Sequence, residues 1–172
     1  SGSGKTTLLG IIGGFDKQDS GEVKFEVNGV SLTPHSTKSA WIPQGANALG
    51  ARTVLDNVTI GALSTGIGRK AAERLARDGL RKVGLRGREG ALARHLSGGE
   101  LQRLALARAL VSDRPLILAD EPSASLDADN TNRLVEILID LAHNALIIVA
   151  THDPVVSSAA GRVLELRARV ST

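Results

Sequence analysis

A lysine, a threonine, two adjacent acids and a histidine are the side chains whose surroundings give them chemical meaning. Lys5 and Thr6 close the run Ser1-Gly2-Ser3-Gly4-Lys5-Thr6-Thr7, which holds the last three fixed positions of the phosphate-loop pattern G-x-x-x-x-G-K-[ST]. Backbone N–H groups at Gly2, Ser3, Gly4 and Lys5 can curl round a β-phosphate along a path that glycine permits. Lys5 then brings positive charge to the β- and γ-phosphates, the Thr6 hydroxyl suits a Mg²⁺ ion, and a helix starting here turns its positive end to the anion. The pattern's first glycine would precede Ser1, so the chain is expected to start inside its own loop. By itself the run also fits a Gly/Ser turn that caps a helix.

Further residues point the same way. Leu116-Ile117-Leu118-Ala119-Asp120 is an apolar strand ending in a carboxylate suited to a metal's water shell, and Glu121 behind it can take a proton from an attacking water. A second apolar strand, Leu146 to Thr151, delivers His152 to the same edge. Open parallel sheets bind ligands at the carboxyl ends of their strands, where all three residues fall. Leu96-Ser97-Gly98-Gly99-Glu100 combines a good N-cap with two glycines whose N–H groups stand open at a helix start, a second anion site. The plainer readings are a capping cluster at Asp120–Glu121, a structural histidine and a simple cap at Ser97.

The elements that must position these residues alternate between strand-like runs and amphipathic helices, the pattern of an α/β domain with a mostly parallel sheet. Helices are expected over Thr6–Ile12, ending near Gly13 and Gly14, over Arg69–Val83, from Ser97 to Val111, over Ala128–Ala142 and, briefly, over Pro154–Ala159. Thr53 reads as the cap of a further helix through Asp56 and Val58. Strands are expected over Gly21–Val27, with Asn28-Gly29 as a turn, and over Ser39–Pro43, Leu116–Ala119, Ala145–Thr151 and Val163–Leu166. Residues 46–95 read as an inserted helical subdomain, and 1–45 with 96–172 as the α/β core.

At 172 residues, 42% of them hydrophobic, the chain is long enough and apolar enough for one domain with a substantial core. It has no cysteine, which excludes disulfides, thiolate metal sites and a cysteine nucleophile. The formal charge of +3 is scattered, and Phe15, Phe25 and Trp41 are its only aromatics. No direct contact with nucleic acid is therefore expected. No run approaches the roughly 20 apolar residues that span a bilayer, and the start has no basic-then-apolar leader. Any membrane role is expected to come through a partner.

These motifs together resemble the nucleotide-binding subunits of ATP-binding cassette (ABC) transporters. The resemblance rests on a Walker A remnant at Ser1 to Thr7, a Q-loop glutamine at Gln44 and the signature LSGGE at Leu96 to Glu100. It continues with a Walker B at Leu116 to Asp120 followed by Glu121, a D-loop at Ala124-Ser125-Leu126-Asp127 and a switch histidine at His152. It implies a P-loop NTPase (RecA-like) core with an inserted helical subdomain, and an ATPase using ATP and Mg²⁺. ATP contacts would come from Ser1, Gly2, Ser3, Gly4, Lys5, Thr6 and Thr7 in one cassette, and from Ser97, Gly98 and Gly99 of a second cassette paired head to tail. Thr6, Gln44 and Asp120 would serve the metal, Glu121 would polarise the water, His152 would hold the γ-phosphate, and Asp127 would communicate across the pair.

Transmembrane permease subunits at the cytoplasmic face of the membrane would be the further partners. Gln44 would also sense these subunits. The run SGSGKTTLLGIIGGFD, and LSGGE followed by Gln102-Arg103, look most like macrolide exporters and lipoprotein-releasing systems. Glu100 stands where the family more often has glutamine, and Ala124-Ser125 reverses the usual D-loop order. The family's first strands and adenine-stacking aromatic would precede Ser1. Two rival readings stay open: a soluble ABC ATPase acting on ribosomes or DNA, and an inactive truncated remnant.

Overall fold

In the computed structural model, residues 3–27, 30–34, 39–45 and 47–166 are described. The elements run α1 (Lys5–Gly13), β1 (Phe25–Val27), β2 (Val30–Leu32), β3 (Ser39–Ile42), α2 (Val54–Leu63), α3 (Arg69–Lys82), α4 (Gly98–Leu110), β4 (Leu116–Asp120), α5 (Ala128–Ala142), β5 (Leu146–Ala150) and α6 (Pro154–Ser158). A short 3₁₀ turn, Ala93–His95, leads into α4.

β3, β4 and β5 form a parallel sheet in that order, with Ile42 opposite Ala119 and Asp120 opposite Ala150. Parallel neighbours need long crossovers; α2, α3 and α4 supply the first and α5 the second. β4 is buried along its whole length, which is why it reads as an unbroken apolar run. Its side chains divide by strand alternation. Leu116 and Leu118 pack with Leu9 of α1 and Ala150, while Ile117 and Ala119 join the larger core built from α2, α3, α4 and α5.

α1 covers one face of β4 and β5, and Phe15 beyond it meets Trp41 of β3 edge-on at 5.5 Å. On the other side, small buried residues (Ala62, Ala72, Ala76, Gly79 and Ala107) let α2, α3 and α4 approach closely around Val58, Leu80 and Leu104. Thr53 caps α2 as expected, accepting from the Asp56 N–H at 3.0 Å.

Two expected strands differ. The run Gly21–Val27 is a strand only over Phe25–Val27, paired antiparallel with β2; residues 21–24 carry an exposed Lys24–Glu22 ion pair instead. The turn expected at Asn28-Gly29 lies outside the described residues. Residues 163–166 form no strand, and Val163 and Leu164 are exposed. An apolar run becomes a strand only where a neighbouring edge takes its N–H and C=O groups, and among the described residues this run has none.

Candidate active site

The N-terminus of α1 and the carboxyl ends of β4 and β5 converge. Gly4 caps α1 with a left-handed backbone (φ 80°), a conformation open to glycine, and Lys5 begins the helix. Thr6 Oγ1 donates to Asp120 Oδ2 at 2.6 Å. Lys5 Nζ lies 2.8 Å from His152 Nε2, 3.4 Å from Ser3 Oγ and 4.0 Å from Glu121 Oε1. His152 Nε2 is 3.7 Å from Glu121 Oε1, and the His152 N–H donates to Glu121 Oε2 at 3.2 Å.

Glu121 is held in an unusual way. Its backbone is left-handed (φ 45°), and its N–H donates to the Ala150 carbonyl at 2.8 Å. A non-glycine residue there costs on the order of 1–3 kcal/mol and is met mostly at functional sites. The chain accepts this turn to bring the Glu121 carboxylate towards Lys5 and His152, just past the last rung of the sheet.

Asp120 is only 3% exposed, yet none of the ion pairs among the described residues involves it. A buried carboxylate held by one hydroxyl is poorly compensated and calls for a cation. Thr6 and Asp120 offer hard oxygen donors of the kind Mg²⁺ takes from a protein, with waters and phosphates completing its shell. No group of three or more acidic, histidine or cysteine side chains that could cage a metal occurs among the described residues. The pair therefore fits an ion that arrives with a phosphate ligand.

The remaining candidates are placed apart. Ser1 and Gly2 lie outside the described residues. Thr7 is exposed on the first turn of α1, and Gln44 is exposed two residues beyond the last β3 pair, at the same sheet edge but without a hydrogen bond to the cluster. Asp127 is the N-cap of α5: its Oδ1 accepts from the Asn130 N–H at 2.9 Å and from the Asn130 side chain at 2.8 Å. Those two bonds, with a smaller attraction from Arg103, hold its carboxyl below the usual aspartate range.

Ser97, Gly98 and Gly99 open α4. The Ser97 hydroxyl accepts from the Glu100 N–H at 3.3 Å while Glu100 Oε2 accepts from the Ser97 N–H at 2.9 Å, a complete capping box. A Cβ at Gly99 would lie 3.0 Å from the Ser125 carbonyl oxygen, a tight contact. No hydrogen bond or ion pair links this segment to the Lys5–Glu121–His152 cluster among the described residues. Two anion-ready ends thus sit on one chain without meeting. Sequence reading passed over Arg88, which reaches Glu100 from a loop twelve residues upstream; a lone arginine among many carries no local signal.

The family model described as ABC transporter matches residues 1–124. The protein named Uncharacterized ABC transporter ATP-binding protein Rv0986, of Mycobacterium tuberculosis (strain H37Rv), is 38% identical over 178 residues, covering 97% of this chain and 71% of that protein. The macrolide export ATP-binding/permease protein MacB of Mannheimia succiniciproducens is 39% identical over 177 residues, covering 97% of this chain but 27% of that protein. Among solved structures, the dimeric ATP-binding cassette MJ0796 in a post-hydrolysis state bound to ADP and Pi matches with a TM-score of 0.79 at 28% identity, over 91% of this chain and 73% of that one. A putative metal-chelate type ABC transporter in an inward-facing conformation matches with a TM-score of 0.72 at 30% identity, over 92% of this chain and 62% of that one. The shared fold is the P-loop α/β sheet of these cassettes.

Proposed function

Because the chain belongs to the ABC transporter ATP-binding family, a family of ATPases, we propose that it binds Mg-ATP at the Lys5–Thr6–Asp120–Glu121–His152 cluster. It hydrolyses the nucleotide in a head-to-tail pair of cassettes. The pair drives transport through transmembrane permease subunits at the cytoplasmic face of the membrane. The observation that carries this reading is the convergence of Lys5, Thr6, Asp120, Glu121 and His152 on one sheet edge, with Ser97–Gly99 held elsewhere.

Each side chain then has a task that follows from its position. Lys5, at the positive end of α1, exchanges its present partners for phosphate oxygens. Thr6 and Asp120, with Gln44 beside them, would hold Mg²⁺, which supplies charge neutralisation of the phosphates. Glu121 accepts a proton as water attacks the γ-phosphorus; the bond to the β-phosphate oxygen breaks, releasing ADP and Pi. His152, freed from Lys5, orients the γ-phosphate. No covalent intermediate is required, since phosphoryl transfer rests on positioning and electrostatics.

Ser97, Gly98 and Gly99 serve the nucleotide held by the second cassette, Asp127 communicates across the pair, Gln44 senses the permease, and residues 46–95 form the helical subdomain. Two observations on other proteins favour this arrangement: MJ0796 is described as dimeric, and MacB is named an export ATP-binding/permease protein. Among the described residues no helix is long and apolar enough to cross a membrane, which fits a cassette that works through separate spans. Export is the direction favoured by the likeness to MacB.

The test is release of Pi from Mg-ATP by the purified chain, alone and with Glu121→Gln. Hydrolysis that needs Mg²⁺ and is abolished by the substitution supports the reading. Normal hydrolysis by Glu121→Gln removes the assignment of the base.

A further inference from the structure

The start of α4 carries an acid where a neutral side chain could close the same cap. Glu100 Oε2 accepts the Ser97 N–H at 2.9 Å, and a glutamine carbonyl oxygen fills that role in capping boxes equally well. The carboxylate adds a negative charge to the first turn of α4. On an isolated helix that charge is favourable. Beside a polyanion it is a liability, because like charges a few ångströms apart repel.

Arg88 answers that charge. Its Nη2 donates to Glu100 Oε2 at 3.4 Å, and its Nε, buried and without a hydrogen-bond partner among the described residues, lies 3.1 Å from Glu100 Oε1 as an ion-pair contact. Arg88 is not on α4. It sits in the loop between α3 and the 3₁₀ turn, where its own N–H donates to the Leu85 carbonyl at 3.2 Å and its carbonyl accepts from Ala91 at 3.0 Å. The same loop is strapped to the start of α2, the Val54 N–H donating to the Ala91 carbonyl at 2.9 Å and the Leu55 N–H to the Glu89 carbonyl at 3.0 Å. The guanidinium is therefore presented from a fixed frame. The Ser97 N–H above all, and then Arg88, hold the Glu100 carboxyl below the usual glutamate range, so its charge persists at neutral pH.

We propose that Arg88 is a positioning residue for ATP: it neutralises Glu100 and clamps it in the capping box, so that Ser97, Gly98 and Gly99 meet a nucleotide's terminal phosphate without a bare carboxylate beside it. The inference rests on the reading that this segment faces ATP held by a second cassette. It makes the Arg88 requirement one of charge, conditional on residue 100 being an acid.

The test is steady-state ATP hydrolysis by the full chain at low and high salt. For Arg88→Ala we expect kcat/KM to fall about tenfold at low salt, the loss of roughly one charge-assisted contact, mostly through KM. The deficit shrinks at high salt, because screening weakens the repulsion at a part-exposed carboxylate, and adding Glu100→Gln to Arg88→Ala restores most of the activity. A loss that salt does not relieve and Glu100→Gln does not rescue would make Arg88 merely structural and overturn the proposal.

Thermal melts accompany each variant. Should Arg88→Ala fail to fold, Arg88→Met, which keeps the length of the stem, takes its place with the same expectations. If neither folds with either residue at position 100, the proposal is overturned. Failure of the functional reading looks different: the unsubstituted chain then releases no Pi, whereas an active chain unaffected by Arg88→Ala sinks this inference alone.

Discussion

The molecule presents phosphate-ready groups in two places, and they are built by opposite means. At the sheet edge, Lys5 meets His152 across 147 residues of sequence and Thr6 meets Asp120 across 114. At the start of α4, Ser97 and Glu100 meet across three. The first place is assembled by strand order and helix packing, and its charged groups satisfy one another: ammonium, imidazole and carboxylate lie within 4.0 Å. The second is a local cap that would form on almost any helix with that sequence. The difference teaches where fragility lies. Substitutions at the sheet edge should alter chemistry and leave the fold standing, whereas those within the cap of α4 should also cost stability.

The largest effect that sharpens this contrast is Glu121→Gln. It should lower the rate of a single turnover by about 10²–10⁴-fold, the usual weight of a positioned base, with nucleotide affinity within a few-fold of the parent. Quenched-flow Pi release and nucleotide titration check the two halves. Equal losses in both would erase the distinction between binding and chemistry at this edge.

Lys5→Ala comes next. Removing charge-assisted hydrogen bonds worth about 1.5–3 kcal/mol should weaken ATP binding by roughly 10- to 100-fold. Its melting temperature should barely move, since Lys5 packs no core. A large thermal loss instead would mean that the charged cluster supports the fold.

Gly99→Ala tests the other region. The new Cβ would lie 3.0 Å from the Ser125 carbonyl oxygen, a backbone atom that yields only if its loop moves. Overpacking of this kind costs about 1–3 kcal/mol, a fall in melting temperature of about 2–4 °C for each kcal/mol in a chain of this size. Ser97→Ala should cost about 1 kcal/mol through the lost cap. An unchanged melt for both would show that the start of α4 depends on neither its cap nor its packing against Ser125.

The smallest expected effect is a pH dependence. Glu100 is held below the usual glutamate range by the Ser97 N–H and Arg88. Its contribution to stability is therefore present above the unfolded value of about 4.3 and is lost as pH falls through the lower folded value. Melts across the acid range should show that Glu100→Gln removes this part of the slope. A parallel slope in the variant would place the acid sensitivity elsewhere.

Legibility follows the same division. The capping box of α4, the Thr53 cap of α2 and the buried strand β4 were readable, because each depends on residues within a turn or on one apolar run. The strand expected over 163–166 was not realised, since apolar character says nothing of whether an edge is available. Asp120, Glu121 and His152 could be assigned to the carboxyl ends of strands, but the left-handed turn at Glu121 had no signal in its side chain. Arg88 was invisible, as its partner lies in another element.

What the sequence by itself determined is the family, the helices, the three strands of the parallel sheet and the self-contained cap at Ser97. These rest on short-range periodicity, on capping chemistry and on a phosphate-loop pattern read residue by residue. Only the tertiary structure decided that Lys5 is shared between His152 and Glu121, that Asp120 is buried with a single hydroxyl as donor, and that Arg88 covers Glu100. The physical reason is that these contacts depend on strand order β3-β4-β5 and on helices packed across it, which place distant side chains side by side and which no local spacing encodes.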